Sequence, residues 1–457
     1  MYYKEIREAF LLALPMILGL CSTMLFYMMD AAMIGQTGVL PLAAASFGSN
    51  LVGIPLVAGF GLNTTMHVLV GRAHGAGDSA GATHVLQVGL VIVTLYSSSV
   101  ALFMSGYIDF LYWFGNPADV TELSKSYVIT VGWSIVPTLM YHCMRGYAEA
   151  QNRPWLSLRI LGSGLLMNLV GNWVLIYGNL GAPSLGILGA GIATLASQLY
   201  MCWALWRAIR KSGHFLIDEN FWRMPAVKWL SLRNYLSIGI PAMAQTAAES
   251  CAFSYTTVMM GWLGAVPLAA HSIAMKCAAL TFMVPLGMSF ATSIRVSQAV
   301  GRGDVPAARR TGWSGMVFAV VYMSLSAVVF MLMRSHIAGF FIATQDPDRA
   351  AVIALSAQLL VVAALFQIFD GLQVVGVSAL RGFADVKVPT VLLLISYWGI
   401  SIPLGWWLAF HAHTSAVGKW LGITHPLGAL GLWYGLLLAL VLAAGILITR
   451  FSIIARR

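Results

Sequence analysis

The sequence predicts an all-α polytopic membrane protein with twelve transmembrane helices in two parallel six-helix repeats. Three observations support this fold class: the composition, the number of long apolar stretches, and an internal repeat. Of the 457 residues, 59% are hydrophobic and only 9% are charged, whereas soluble domains carry about 25% charged residues. The composition therefore excludes a soluble fold. The net charge is +10. The basic residues that produce it lie in short gaps between apolar stretches, which indicates membrane topology rather than nucleic-acid binding.

Twelve segments are long and apolar enough to cross a bilayer, which requires about 20 residues. In chain order they are residues 10–34, 42–70, 86–108, 126–148, 155–178, 185–207, 235–260, 268–294, 312–340, 351–378, 389–411 and 427–450. These segments predict an N-terminal six-helix lobe at 1–207, a cytoplasmic connector at 208–234 and a C-terminal six-helix lobe at 235–457. Since the gaps are short, the function is expected to reside in the helices and their loops.

Basic residues are distributed unevenly between the two sides of the predicted membrane. Twenty of them fall on the side that holds both termini, and four fall on the other side, namely Lys125, Arg334, Arg349 and Lys419. By the positive-inside rule this asymmetry predicts that both termini are cytoplasmic. We expect a multi-pass protein of the bacterial cytoplasmic (inner) membrane that works as a monomer among membrane lipids.

An internal repeat relates the two halves of the chain. A shift of 226 residues aligns Gly35–Ser46 with Gly261–Ser272, with identical residue types at seven positions. The same shift pairs Ala73, Gly75, Gly77, Asp78 and Ala82 with Ala299, Gly301, Gly303, Asp304 and Ala308. Because each half makes an even number of crossings, the halves are parallel repeats related by an axis along the membrane normal. Such a pair can open a central cleft to either side in turn, which favours transport over a scaffold role.

Several motifs occur in a characteristic order along the chain. They are Leu14-Pro15 with Asp30 in the first segment, Gly71-Arg-Ala-His-Gly75-Ala-Gly77-Asp78 after the second, Arg145-Gly146-Tyr-Ala-Glu149 after the fourth, Asn168 and Asn172 in the fifth, Glu249 in the seventh, and Phe366-Gln367-Ile-Phe-Asp370-Gly-Leu-Gln373 in the tenth. In these motifs the chain resembles the multidrug and toxic compound extrusion (MATE) family, and most closely its NorM-like branch. The resemblance covers nearly the whole chain. It implies a MATE-like fold and the export of organic cationic or zwitterionic compounds in exchange for inward Na+ or H+.

Acidic residues at membrane depth are rare in this sequence. Of the sixteen Asp and Glu residues, thirteen lie in predicted loops or at the termini, and the exceptions are Asp30, Glu249 and Asp370. An Asp at the centre of a spanning helix costs about 2.5 to 3.5 kcal/mol on insertion scales, so such residues indicate function. The resemblance implies that these three acids couple transport to the inward cation.

Two asparagines accompany the first of these acids. Asn168 and Asn172 are four residues apart and therefore project from one face of the fifth segment. Together with Asp30 they offer a carboxylate and two amide oxygens, a set suited to Na+, while a lone carboxylate in a partly dry cavity suits H+ equally well. The alternative is that the asparagines form hydrogen bonds between helices.

A second polar group is predicted in the C-terminal lobe. Asp370 shares a helix face with Gln367 and Gln373, at a spacing of three residues. The resemblance assigns Glu249 and Asp370 a role in cation coupling or in holding cationic substrate, with the two glutamines beside them as substrate contacts. The alternative is a structural one, in which each buried acid pairs with a nearby hydroxyl group.

Large flexible and aromatic side chains accompany this second group. Phe366, Met259 and Met283 are candidates to line a deformable pocket for flat organic cations, although ordinary bundle packing also explains such residues. Lys276 is the candidate counter-charge for the C-terminal acids. The five cysteines lie in apolar segments without metal-ligand spacing, so we expect no cofactor beyond the coupling ion.

The sequence therefore predicts a secondary active multidrug exporter that works by alternating access. The alternative is a lipid-linked oligosaccharide flippase of a related fold, which would require a strongly cationic central cavity, whereas the intramembrane charge here is mainly acidic. An intramembrane enzyme would require a nucleophile–base pair or a metal set at membrane depth. The sequence contains no such set, so we expect no catalytic residues.

Overall fold

The computed structural model describes residues 2–215, 221, 228–342, 347–420 and 422–456. Within these ranges the chain forms helices and turns and contains no β-strand. In chain order the α-helices of the described ranges are α1 (Tyr2–Gly35), α2 (Val39–Asn63), α3 (Thr65–Gly75), α4 (Ser79–Gly106), α5 (Ala118–Ala150), α6 (Pro154–Tyr177), α7 (Gly186–Lys211), α8 (Trp229–Trp262), α9 (Ala265–Gly301), α10 (Val305–Phe340), α11 (Arg349–Gly382), α12 (Lys387–Leu394), α13 (Ile402–Trp406), α14 (Ala416–Trp420) and α15 (Gly428–Ile454).

The long helical segments match the predicted spans one for one. Two of them are composite, because α2 continues into α3 and because α12 and α13 form one segment, Lys387–Thr414. In the described part of the chain, ten segments are long and apolar enough to cross a membrane. The other two are the more polar α5 and α8, which contain 33 and 34 residues and exceed the about 20 that a crossing requires. The predicted twelve-helix fold is confirmed.

The eleventh span is irregular. Two π-helical stretches, Ile395–Ser401 and Trp407–His411, flank the short helix α13. A π-helical turn bulges the helix by one residue and is common where a side chain must be aimed at a functional group. The first stretch carries Tyr397, which is fully buried.

The described residues pack into two compact units. The N-terminal unit consists of the described part of Leu14–Ala247 together with Ser297–Gly303. The C-terminal unit consists of the residues through Ala13, of Ala248–Val296 and of the described residues from Asp304 onward. Helices α1, α8 and α9 are therefore each divided between the two units.

The predicted lobe boundaries stay a prediction. The lobes were expected to end at residue 207 and to begin again at residue 235, with a connector at 208–234. Within that connector, residues 216–220 and 222–227 lie outside the described residues.

In the N-terminal unit, α3 and the end of α9 cross at two glycines. A Cβ atom at Gly75 would lie 2.1 Å from the backbone oxygen of Gln298, and one at Gly301 would lie 2.2 Å from the backbone oxygen of Arg72. The shift of 226 residues maps Gly75 onto Gly301 and Arg72 onto Gln298, so the two contacts are equivalent. Only the absence of a side chain permits this approach of the two backbones.

A buried ion pair lies at the C-terminal end of α5. The Arg145 Nε donates to Glu149 Oε1 at 2.6 Å, and the other carboxylate oxygen lies 3.1 Å from His67 Nε2. Glu149 is only 2% exposed. The prediction that all but three acids lie in loops or at the termini is therefore wrong for Glu149, and it is also wrong for Asp119 and Glu122, which lie in the first turns of α5. Because Glu149 lies one residue before the end of α5, its sequence position resembles that of a loop residue.

The core of the C-terminal unit is formed by aromatic and aliphatic side chains of α8, α9, α10, α11, α15 and the eleventh span. Trp433 is its largest fully buried side chain. The ring of Phe366 packs edge-on against those of Trp433 and Phe253, with centroid separations of 5.5 and 6.2 Å. This packing fixes the face of α11 that carries Asp370.

The glycine crossing generates a first prediction. Gly75→Ala and Gly301→Ala each place a methyl group against a backbone carbonyl, and such overpacking costs about 1–3 kcal/mol. The melting temperature of the detergent-solubilised protein is expected to fall for both variants. Gly162→Ala is the matched control, because no atom lies within 4 Å of a Cβ at that helical position. Melting temperatures that change equally in all three variants would contradict the described crossing.

The buried ion pair generates a second prediction. Glu149→Ala leaves the buried Arg145 without its carboxylate, and breaking such a pair costs about 3–5 kcal/mol. We expect a lower melting temperature and a lower yield of monodisperse protein. In the control, Glu122→Ala removes an acid from an exposed ion pair with Lys125 at 2.9 Å. Exposed pairs contribute little, so this control is expected to behave like wild type.

Candidate functional site

Asp30, Asn168 and Asn172 lie together inside the N-terminal unit. Asp30 comes from α1 and both asparagines come from α6, and all three are buried. The Asn172 amide Nδ2 donates to Asp30 Oδ1 and also to Asn168 Oδ1, the latter at 2.9 Å. The Asn168 Nδ2 in turn donates to Thr194 Oγ1 on α7 at 3.3 Å. A continuous hydrogen-bonded row therefore links the carboxylate to α7.

This row leaves one acceptor without a partner. The Oδ1 atom of Asn172 is buried, and no described group donates a hydrogen bond to it. A buried polar atom without a partner is costly, and a cation is one ligand that satisfies it. Hard cations are held by carboxylate and amide oxygens, and both oxygen types are present here.

The depth of Asp30 follows from the bounds of α1. The helix ends at Gly35, so Asp30 lies five residues before its end, which is about 7.5 Å along the axis at 1.5 Å per residue. With the predicted orientation this end of α1 faces the outside.

A cavity of about 290 Å³ adjoins the two asparagines. Phe26, Met29 and Met33 of α1 contribute to its wall together with Asn168 and Asn172. Its volume lies at the lower end of the range for small-molecule sites. The wall is thus mainly apolar, formed by leucine and methionine side chains and one aromatic ring, and it includes the two amide groups.

Glu249 and Asp370 belong to the C-terminal unit. Glu249 on α8 accepts a hydrogen bond from the Tyr397 hydroxyl at 3.1 Å. The Glu249 carboxylate is close enough to Asp370 on α11 for the two charges to repel each other. Both acids are also close enough to Tyr397 to interact electrostatically with its hydroxyl. The Trp398 Nε1 donates to the carbonyl of Ala248 at 3.1 Å, which secures the π-helical stretch against α8. Of these two acids, Glu249 is the one that accepts a hydrogen bond from this phenol in the described structure.

The face of α11 around Asp370 carries further polar atoms without partners. No described group forms a hydrogen bond with Asp370 Oδ1, Gln367 Nε2 or Gln373 Oε1, and all three atoms are buried. The side-chain oxygen Oε1 of Gln367 accepts hydrogen bonds from Thr281 Oγ1 at 3.0 Å and from Ser326 Oγ at 3.3 Å. This face therefore presents a carboxylate oxygen and amide groups that remain available to a ligand.

The predicted apolar lining residues lie nearby in the same unit. Phe366 and Met259 are buried in the hydrophobic core, at 2% and 1% exposure, while Met283 on α9 is partly exposed. The structure brings Phe366 and Asp370 together on α11. Lys276, the candidate counter-charge, is exposed and makes no ion pair with any described acid.

Sequence reasoning missed three hydroxyl residues of these sites. Thr194 extends the asparagine row, Tyr397 bonds Glu249, and the buried Tyr127 lies in electrostatic range of Asp30 and hydrogen-bonds Ser49 at 3.1 Å. Each comes from a span remote in sequence from its partner. For Tyr397 the available signal was a polar aromatic residue within a span that also contains Gly399 and Pro403.

Comparison with known proteins supports the resemblance noted in the sequence. The MatE family model matches residues 15–174 and 241–407. A relative from Mesorhizobium japonicum, named "Probable multidrug resistance protein NorM", is 33% identical over 426 residues, which are 92% of this chain and 90% of the relative. A relative of the same name from Bradyrhizobium diazoefficiens is 32% identical over 458 residues, covering 99% of this chain and 94% of the relative.

Solved structures agree with the fold. The crystal structure of a Vibrio cholerae MATE transporter matches with a TM-score of 0.88 at 19% sequence identity, covering 100% of this chain and 98% of that one. At this identity the match shows the fold alone. The family model and the two relatives cover most of the sequence, so the chain belongs to the MATE family of membrane transporters and, within it, to the NorM-like branch.

Proposed function

We propose that this protein is a multidrug exporter that moves organic cationic or zwitterionic compounds out of the cell in exchange for inward Na+ or H+. The observation that carries the proposal is the buried row of Asp30, Asn172 and Asn168, in which the amide oxygen of Asn172 has no described partner. A buried carboxylate beside one unpaired amide oxygen is expected to bind one cation at a time. Such a site is either occupied by the coupling ion or vacant, and its charge state affects the binding of both the ion and the substrate.

The carboxylate of Asp30 is the expected centre of the cation site. Na+ would be held by Asp30 together with the oxygens of Asn168 and Asn172, whereas H+ would neutralise the carboxylate alone. In both cases binding removes a negative charge from the wall of the N-terminal unit. A cationic substrate is then less favoured there, which is the physical requirement for antiport.

The acids of the C-terminal unit are expected to serve the same exchange. Glu249 and Asp370 are close enough to interact, so neutralising one makes a charge on the other less costly. Gln367 and Gln373 offer amide groups to the polar parts of a zwitterion, while Phe366, Met259 and Met283 supply apolar and aromatic surface. This pairing of acids suits cargo with one delocalised positive charge.

The proposed cycle is alternating access. The outside cation favours the state that has released substrate, and its departure to the cytoplasm frees the carboxylates for the next substrate. We place the transporter in the bacterial cytoplasmic membrane, with both termini in the cytoplasm and a monomer as the working form. The coupling ion takes the place of a cofactor.

The lipid-linked oligosaccharide flippase is not favoured. Pyrophosphate cargo requires a strongly cationic cavity, whereas the charged residues of the two candidate sites, Asp30, Glu249 and Asp370, are all acidic. The relatives that match over nine-tenths of the chain bear multidrug resistance names. The family consists of transporters rather than enzymes, and no catalytic role is proposed for any residue.

Reconstitution tests the proposed function directly. The purified full chain in proteoliposomes is expected to move ethidium against its gradient when an inward Na+ gradient or an inward H+ gradient is imposed separately. The two arms identify the coupling ion. Ethidium movement that is equally fast in the absence of both gradients would contradict antiport.

The N-terminal site generates a third prediction. Asp30→Asn removes the charge but keeps the size of the side chain, so coupled ethidium efflux from cells is expected to fall about tenfold or more, with unchanged abundance in the membrane. Asp119→Asn is the matched control, because that aspartate is exposed at the start of α5. Wild-type efflux by the Asp30 variant would contradict a coupling role.

The C-terminal site generates a fourth prediction. Asp370→Asn is expected to abolish coupled efflux, since it removes a carboxylate oxygen that has no partner among the described residues. Tyr397→Phe keeps both acids and deletes one hydrogen bond worth about 0.5–1.5 kcal/mol, so a partial loss of about threefold to tenfold is expected. Initial rates in proteoliposomes distinguish these outcomes. An equal and complete loss in both variants would indicate that Tyr397 does more than position Glu249.

A further inference from the structure

A basic groove lies at the start of α10, apart from the sites described above. It encloses about 810 Å³ and is lined by Arg309, Arg310 and Trp313 of α10 and by Arg456 beyond the end of α15. None of these three arginines forms an ion pair with a described acid. The Nε of Arg310 is buried and has no described hydrogen-bond acceptor. Among the described residues, these three positive charges therefore face one groove without an acidic partner.

The equivalent surface of the other repeat is used differently. The shift of 226 residues maps Arg309, Arg310 and Trp313 onto Thr83, His84 and Gln87. Each of these three N-terminal residues has a partner within the protein, as the hydrogen bonds Thr83–Tyr147, His84–Ser231 and Gln87–Phe221 show at 3.3, 2.9 and 2.8 Å. In the first repeat this helix face is thus covered by protein. In the second repeat the same face carries two guanidinium groups, of Arg309 and Arg310, and Arg309 is exposed.

The groove is continuous with an apolar stripe along α10. Val317 lines the groove and is 50% exposed. Val321, Leu325, Val328 and Leu332 follow at spacings of three or four residues and are all exposed, so they form one stripe on the helix. A membrane-spanning helix exposes such a stripe to acyl chains.

The position of the groove relative to the membrane follows from the charge distribution. Arg309 and Arg310 precede the ninth predicted span, 312–340, on the side that holds most basic residues. Trp313 lies at the boundary, where indole rings are favoured, and its ring is fixed edge-on against Phe451 at 5.7 Å. The guanidinium groups are thus at headgroup level and the stripe is at acyl-chain level.

We propose that this groove binds the headgroup of one anionic phospholipid of the cytoplasmic leaflet. The arginines bind the phosphate, since guanidinium groups offer paired N–H donors to phosphate oxygens. One acyl chain lies along the stripe that begins at Val317. The acid nearest in sequence, Asp304, caps α10 by accepting from the Ala307 N–H at 2.9 Å and does not line the groove.

Native mass spectrometry of the delipidated full chain tests this proposal. The protein is titrated with phosphatidylglycerol and, separately, with phosphatidylcholine of the same acyl chains. For wild type we expect the first phosphatidylglycerol to bind about tenfold more tightly than the first phosphatidylcholine. We expect the triple variant Arg309→Gln, Arg310→Gln and Arg456→Gln to reduce that preference to about threefold or less.

The matched control changes the same number of charges elsewhere. Arg207, Arg210 and Lys211 at the end of α7 are exposed and form no ion pair with a described acid, and their replacement by glutamine is expected to leave the preference unchanged. If the triple groove variant is not monodisperse, the single variant Arg309→Glu, at an exposed position, is expected to lower the preference to the same extent.

Three outcomes would overturn the proposal. One is the absence of a preference for phosphatidylglycerol in wild type, and another is an equal loss in the control variant. The third is displacement of the bound lipid by inorganic phosphate or glycerol phosphate at concentrations similar to that of the lipid, which would identify a site for soluble anions.

Discussion

The fold depends on the inability of the lipid interior to form hydrogen bonds. Each backbone N–H and C=O in a span must find its partner within the protein, so the described spans are helical. The same constraint applies to side chains, and it explains why a buried Glu149 occurs with Arg145 and His67 around it. Asn172 and Asp370 each have a buried side-chain oxygen without a described partner. The free-energy cost of leaving such an atom unpaired distinguishes these two positions from other buried polar residues.

Much of the fold and part of the site could be predicted because the depth of a residue in the membrane restricts which amino-acid types occur there. The cost of burying charge made Asp30, Glu249 and Asp370 visible, and helical periodicity placed Asn168 beside Asn172. The row that these asparagines form with Asp30 agrees with that expectation, although their role in ion coupling remains a proposal. Periodicity within one helix carries no information about a neighbouring helix. For that reason the hydroxyl of Tyr397, supplied by a remote π-helical turn, could not be assigned to Glu249.

The two polar sites differ in how their charge is held. In the N-terminal unit an amide N–H group already donates to the carboxylate, so a cation entering there competes with an existing hydrogen bond of Asp30. In the C-terminal unit Glu249 accepts a hydrogen bond from the Tyr397 hydroxyl, while Asp370 Oδ1 has no described donor. Under the proposed function, the first arrangement would hold the compact coupling ion, and the second would hold a larger and more diffuse positive charge.

The glycine crossing has the symmetry of an isologous interface. Gly75 contacts the backbone of Gln298, and Gly301 contacts the backbone of Arg72. The repeat relates Gly75 to Gly301 and Arg72 to Gln298. In a C2 dimer each copy would supply both halves of such a contact. A half-length chain carrying a single copy of this segment could therefore make both contacts by pairing with itself. In the duplicated chain the two glycine positions can change independently of each other, so each glycine is required separately by the contact that it makes.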